Sequence, residues 1–305
     1  MKISAIEIGT NSTKFIIAEA NGRSFNTIEK SSIINRLSRN MYGQNLLSPE
    51  AVSKTLQIIG EMIERSKISN AELISIFSTS VLRDANNSKD FIDMVKKTYG
   101  YTIEVISGGR EAYLVFRACG ALLDDNQSRF RVIDIGGGST ELIVGTNEKI
   151  ESKASLNIGA VRLTEQFVNG NGPIEHQTIE TIIEFINLEL EKINGLNFRT
   201  ISLIGTGGTV KTLGTIVAKV DYQLEDQIHG LKVERDKVKE IVNLLAGISL
   251  IERQEIPGLN PKRADVIVVG LLILLTVMNF YNILDITISF KGVLEGFLSD
   301  YLANR

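Results

Sequence analysis

Two stretches of this chain set a carboxylate two residues ahead of a turn made of Gly, Ser, Thr and Asn: Glu7-Ile-Gly-Thr-Asn-Ser12 and Asp134-Ile-Gly-Gly-Gly-Ser139. A strand, such a turn and a returning strand expose consecutive backbone amides in a concavity suited to phosphate oxygens. A third stretch, Gly205-Thr-Gly-Gly-Thr-Val-Lys211, joins a strand pattern to a helix pattern. The amides of Gly207, Gly208 and Thr209 then point along the helix axis toward an anion. The Gly-Lys pair of a Walker loop is missing, so that mechanism is not read here. Lys14 follows the first turn, Arg83 the Ser78-Thr-Ser80 turn and Arg162 the Gly159-Ala-Val segment; together they localise positive potential, with Lys14 and Arg83 read as phosphate ligands. Glu111 falls in the first turn of a helix after Ser107-Gly-Gly109. A carboxylate there complements the helix dipole, worth about 0.3–1 kcal/mol; at the edge of the phosphate loops it is also placed to act on water.

Taken singly, each feature has an ordinary explanation. Hairpins use Gly, Asn and Ser for their turns, and isolated Lys and Arg are usually surface charges. Repetition changes the reading. Glu7–Ala18 lies over Asp134–Gly145 with five identities at an offset of 134 − 7 = 127. Ile74-Ser-Ile-Phe-Ser-Thr79 lies over Ile201-Ser-Leu-Ile-Gly-Thr206 at the same offset, 206 − 79 = 127. Two pairs sharing one offset predict a duplicated domain, each half carrying a hairpin loop and a strand-to-helix loop. Two-fold related loops would face each other across an interdomain cleft, where ligand sites usually sit.

The elements that must position these loops alternate. Ile3–Ile8 and Lys14–Ala18 predict a hairpin of two half-buried strands. Ser48-Pro49 opens a helix with a hydroxyl cap and Pro at the first position; Val52, Leu56, Ile59, Met62 and Ile63 keep helical spacing. A strand over 73–77, a Ser-Thr-Ser turn, a helix over 90–98 and a strand over 101–106 follow. The polar stretch Asp124 to Ser128 predicts a boundary, giving domains of 1–124 and 125–305, with the terminal helix free to pack back on the first. Strands are then expected over 130–135, 141–145, 200–204 and 283–289, and helices over 178–193 and after Asn260-Pro261. The mixture is α/β.

Composition narrows the class. At 305 residues two domains are expected rather than one. Lys plus Arg (33) nearly balance Asp plus Glu (36), so no broad nucleic-acid footprint is expected. The single Cys119 excludes an internal disulfide and a multi-cysteine zinc site, and with only His176 and His229 present the expected chemistry rests on carboxylates, Lys, Arg, hydroxyls and backbone amides rather than on histidine triads. The run Val266 to Met278 is too short for a membrane span, and no signal peptide precedes Ile3. These features predict a cytoplasmic chain with no membrane partner. A homodimer is compatible with the chain, two-fold assemblies being common, and nothing in the sequence fixes it.

On these residues the chain resembles the exopolyphosphatase / guanosine pentaphosphate phosphohydrolase family, within the sugar-kinase, actin and heat-shock-chaperone ATPase fold. Glu7–Ser12 looks like its first phosphate motif, Ile106–Ala112 like its catalytic-glutamate segment and Val132–Leu142 like its second phosphate motif. Gly159–Glu165, Gly205–Thr209 and Pro257–Asp265 follow in family order, and the chain is similar to the short, two-domain form. The resemblance implies an actin-like duplicated fold, Glu111 as catalytic base, and phosphate binding by Gly9, Thr10, Asn11 and Ser12 and by Gly136, Gly137, Gly138, Ser139 and Thr140, with Arg83 on a neighbouring phosphate. It also implies Mg²⁺, or another divalent cation, near Glu7, Asp134 and Glu141. Four acids near a polyphosphate would repel it without a cation and amide nests to offset them. Three positions depart from the family pattern: Glu7 stands for a usual Asp, Arg110 for a frequent acid, and Leu294 for a frequent Arg.

The reaction implied is hydrolysis of a terminal phosphoanhydride of inorganic polyphosphate. Guanosine pentaphosphate offers the same terminal bond, and the sequence does not separate the two. A phosphotransferase with a nucleotide donor, and a non-catalytic polyphosphate- or alarmone-binding regulator, are the other classes compatible with the loops.

Overall fold

A computed structural model of the protein describes residues 1–123, 129–193 and 202–305. The expected boundary at Asp124 to Ser128 lies outside the described residues, as do Thr200 and Ile201 of an expected strand. The chain divides into two compact units, Met1–Leu114 with Val293–Arg305, and Val115–Gly292.

In the first unit β1 (Lys2–Ile8), β2 (Ser12–Asn21) and β3 (Ser24–Ile34) form an antiparallel meander. It is followed by α1 (Pro49–Ile68), β4 (Glu72–Ser78), α2 (Ser80–Asp84), α3 (Ser88–Tyr99), β5 (Ile103–Val105) and α4 (Gly108–Gly120). The sheet order is β3-β2-β1-β4-β5, with β4 parallel to β1 and β5 parallel to β4. The start of α1 matches its sequence signals: the Ser48 side chain accepts from the Ala51 amide, and Pro49 takes the first turn. Its face of Ile58, Ile59, Met62 and Ile63 packs into a core with Ile6, Ile8, Phe15 and Phe91. β1 departs from the half-buried pattern expected of it. It is buried at every position from Ile3 to Ile8, because β2 and β4 close both its edges and helices cover it. Ser4, on what would be the polar face, donates to Ser66 Oγ at 2.9 Å.

The second unit runs β6 (Phe130–Ile135), β7 (Thr140–Gly145), β8 (Ile150–Leu156), α5 (Ala160–Phe167), α6 (His176–Glu191), β9 (Leu203–Thr206), α7 (Gly207–Ala218), β10 (Lys232–Glu234), α8 (Arg235–Ala246), α9 (Leu250–Gln254), α10 (Ile267–Phe280) and β11 (Asp285–Ile288). Its sheet order is β10-β11-β9-β6-β7-β8. The apolar run expected to be a core helix is α10, buried from Ile267 through Met278. Asn260 does not cap it, as the sequence had suggested. The Asn260 side chain accepts from the Lys262 amide and starts a short 3-10 turn, Pro261–Arg263, and α10 begins four residues later. Among the described residues no helix is long and apolar enough to cross a membrane. The last helix, α11 (Val293–Ala303), belongs to the first unit, where Phe297 stacks on Phe77 of β4 with ring centres 4.6 Å apart.

The two sheets repeat one another. β2-β1-β4-β5 and β7-β6-β9-β11 share strand order and direction: one antiparallel pairing, then two parallel ones. The hairpin register repeats at the expected offset, with Glu7 opposite Lys14 and Asp134 opposite Glu141. The strand-to-helix pair repeats less simply. Helix caps Thr79 and Thr206 keep 206 − 79 = 127. The strand partners of Glu7 and Asp134 are Phe77 and Thr206, which differ by 206 − 77 = 129. The β1–β4 pairing slips between Ser4 and Ala5, so strand register and helix start do not move together.

Candidate active site

The backbone of both hairpin turns is sorted by polarity. In the second unit the carbonyl of Gly136 accepts from the Ala160 amide, that of Gly137 from the Val161 and Arg162 amides, and that of Gly138 from Arg162 Nε at 2.8 Å. A peptide unit is planar and trans, so a carbonyl held on one side turns the next N–H to the other. The amides of Gly137, Gly138 and Ser139 therefore point away from the start of α5. In the first unit the Thr10 carbonyl accepts from the Ser38 amide and the Asn11 carbonyl from those of Asn35 and Arg36. Each turn closes identically, Gly9 N–H to Ser12 O and Gly136 N–H to Ser139 O, both 3.0 Å. Among the described residues the amides of Asn11, Gly137, Gly138 and Ser139 find no acceptor. Successive unpaired donors of this kind make an anion nest.

Within the first unit the expected site residues are linked in sequence. Thr10 Oγ1 and Ser80 Oγ are 3.0 Å apart, joining the turn to α2. Arg83, in the last turn of α2, donates from Nη1 to Glu111 Oε2 at 2.9 Å and to the Ile106 carbonyl at 2.8 Å. Glu111 is 6 % exposed in the first turn of α4, so its partner holds it in place as well as offsetting its charge. Glu7 is also buried, and Lys14, directly across the hairpin, donates to its Oε1 at 2.7 Å. Both cations read as phosphate ligands from sequence are thus engaged with acids of their own unit. Arg110 pairs with Asp300 of α11, which also accepts from Tyr113 Oη at 3.1 Å, and Leu294 is buried.

In the second unit Glu141 Oε1 accepts from Ser139 Oγ at 2.9 Å and Ser155 Oγ at 2.8 Å. The Thr140 hydroxyl donates to the Ile158 carbonyl and is spent on structure. Asp134 lies under the strand-to-helix loop: a Cβ on Gly207 would come within 2.5 Å of Asp134 Oδ1, and Gly207 has φ +88°. The hydroxyl of Thr206, the residue before α7, donates to the Lys291 carbonyl at 2.7 Å rather than capping its own helix. First-turn amides of α7 are left for another acceptor. Thr209 is buried in that first turn. Arg263 was not assigned a role by sequence reasoning, yet its guanidinium lies against Gly208, where a Cβ would meet Nη1 at 2.0 Å. The Pro257–Asp265 segment was noted as a motif; the missing signal was contact across 55 residues. Further along β6, burial pushes the Arg131 guanidinium down to about 10, against the opposing pull of Asp285.

Glu7 Oε2 is buried without a hydrogen-bond partner, a hard oxygen of the kind that can ligate a divalent cation or accept from its bound water. No group of three or more His, Cys, Asp and Glu side chains stands together among the described residues. Mg²⁺ commonly takes only one or two carboxylates and keeps several waters, and Asp134 with Glu141, opposite each other in one hairpin, are a pair of that size.

The Ppx/GppA phosphatase family model matches residues 16–305. The chain is 33% identical over 316 residues to a bifunctional 3-dehydroquinate synthase/phosphatase of Fusobacterium nucleatum, covering 99% of this chain and 47% of that protein, under half its length. It is 30% identical over 288 residues to exopolyphosphatase 2 of Mycobacterium tuberculosis, covering 89% and 88% of the two chains. Among solved structures it is similar to an exopolyphosphatase from Cytophaga hutchinsonii, with TM-score 0.90, 25% identity and coverage of 100% and 98%. A Ppx/GppA family member from Aquifex aeolicus gives TM-score 0.82 at 26% identity, again covering 100% and 98%.

Proposed function

Because this chain belongs to the Ppx/GppA phosphatase family, we propose that it releases the terminal phosphate of inorganic polyphosphate. Phosphoanhydride hydrolysis itself comes with the family and with the exopolyphosphatases among its relatives. The observation that carries the substrate reading is the repeated turn whose carbonyls are tied back and whose amides are turned outward. One such nest takes one phosphate, and each unit carries one.

Phosphoryl transfer proceeds through a loose transition state, so the protein chiefly positions groups and stabilises charge. In this reading Glu111, held by Arg83, orients a water against the terminal phosphorus and takes its proton. The new P–O bond forms from that water as the bridging P–O bond breaks, and the shortened polyphosphate leaves with the bridging oxygen. The nests at 9–12 and 136–140, with the first turn of α7, hold phosphate oxygens. Asp134 with Glu141 in the second unit, or Glu7 in the first, would hold a divalent cation, which when bound supplies charge neutralisation at phosphate oxygens.

The test is phosphate release from polyphosphate of defined length and from guanosine pentaphosphate, with Mg²⁺ and with a chelator. Stepwise release from the polyphosphate end, stopped by the chelator, is the expected result. Release from the nucleotide alone would move the substrate to guanosine pentaphosphate, and binding without release under any divalent ion would make the chain a regulator.

A further inference from the structure

The two nests are held differently, and the difference falls on one side chain. In the first unit the Asn11 carbonyl is fixed by two backbone amides, those of Asn35 and Arg36. Its counterpart in the repeat is Gly138, at 138 − 11 = 127, and no backbone amide of the described residues reaches that carbonyl. Its donor among the described residues is Arg162 Nε at 2.8 Å, a side chain in the first turn of α5. A main-chain contact in one half has become a side-chain contact in the other.

Resting on the reading above, we infer that Arg162 is a positioning residue that sets the affinity of the second nest for phosphate. Its guanidinium holds the Gly138 carbonyl back, and the trans peptide then aims the Ser139 amide outward. Gly137 and Gly138 are joined by peptides with few steric restraints. Without that hydrogen bond the Gly138–Ser139 peptide is free to turn over, presenting an acceptor where a phosphate needs a donor. The Gly136 and Gly137 carbonyls are held by main chain alone, so those two amides stay in place when the side chain changes. Arg162 also sets a positive charge beside a hairpin that carries Asp134 and Glu141 opposite each other, where the first hairpin pairs Glu7 with Lys14.

The experiment compares wild type with Arg162→Met and Arg162→Lys. Isothermal titration with inorganic tripolyphosphate gives Kd, phosphate release gives kcat and KM, and thermal unfolding gives Tm. A hydrogen bond to a charged phosphate is worth about a factor of ten or more in affinity. Arg162→Met is therefore expected to raise Kd and KM about tenfold, with the loss in kcat/KM carried by KM. Arg162→Lys, which keeps a donor for the Gly138 carbonyl, is expected to recover most of that loss at a similar Tm. A wild-type Kd in Arg162→Met overturns the inference, and so do equal losses in both variants that track a fall in Tm. If wild type binds tripolyphosphate without releasing phosphate, the hydrolytic reading fails while the Kd comparison still decides the role of Arg162. If wild type does not bind it, both fail.

Discussion

Arg83 and Glu111 form a hydrogen-bonded ion pair of 2.9 Å between the end of α2 and the first turn of α4. It couples the residue read as phosphate ligand to the residue read as base. Glu111→Gln is expected to lower kcat by about 10²–10⁴-fold, the range for a lost general base, with tripolyphosphate binding retained. Arg83→Met should lower kcat/KM about 10²-fold, because the Glu111 carboxylate loses the group that holds it. A wild-type kcat/KM would separate the two residues functionally.

Lys14 and Glu7 allow a stability test of the first hairpin. Lys14→Met leaves the Glu7 carboxylate buried with Oε1 deprived of its ammonium and Oε2 already unpartnered. Breaking a fully buried pair costs about 3–5 kcal/mol; Lys14 is a quarter exposed, so about 2 kcal/mol is expected after screening. Adding Glu7→Gln should restore more than half of that loss. Urea midpoints of the two single variants and the double variant close the cycle.

Gly207 and Gly208 are neighbours with opposite predicted failures. Gly207→Ala forces a left-handed alanine, costing about 1–2 kcal/mol, and drives its Cβ onto Asp134 Oδ1 and the Ile135 carbonyl. Loss of stability and of activity together is expected. Gly208→Ala meets only the flexible end of Arg263, so Tm should hold while KM for polyphosphate rises. Unfolding and kinetics on the same preparations distinguish the cases.

Gly296 is the contact point of α11 with α4. A Cβ there would stand 2.0 Å from the Leu114 carbonyl, which is backbone and cannot swing aside. Gly296→Ala should destabilise by about 1–3 kcal/mol, the usual cost of overpacking, and lower kcat by displacing the helix that carries Glu111. A fall in stability alone, with kcat intact in the folded fraction, would remove the catalytic part of this expectation.

Much of the scaffold was legible in sequence because its signals are local. Ser48-Pro49 announced α1, and the Glu7–Ala18 and Asp134–Gly145 similarity announced the hairpin register. β3 left little trace: it is the edge strand of its sheet and half its residues face solvent or nearly so, which blurs alternation. Site residues were legible where the backbone does the work, as at Gly136–Ser139. They were less so where a long side chain chooses its partner in space. Lys14 and Arg83 turn to acids of their own unit, and Arg263 reaches Gly208 from a distant turn.

The return of α11 to the first unit has a temporal consequence. A ribosome delivers Val293–Arg305 after the whole of the second unit, yet those residues supply Phe297 against Phe77 and Asp300 against Arg110 and Tyr113. Residues 115–292 are contiguous and can finish folding while the earlier-made segment still waits for its closing helix. Nascent chains halted short of Val293 should therefore carry a protease-resistant second unit and a Glu111 helix not yet clamped, so catalytic competence waits until α11 has been made.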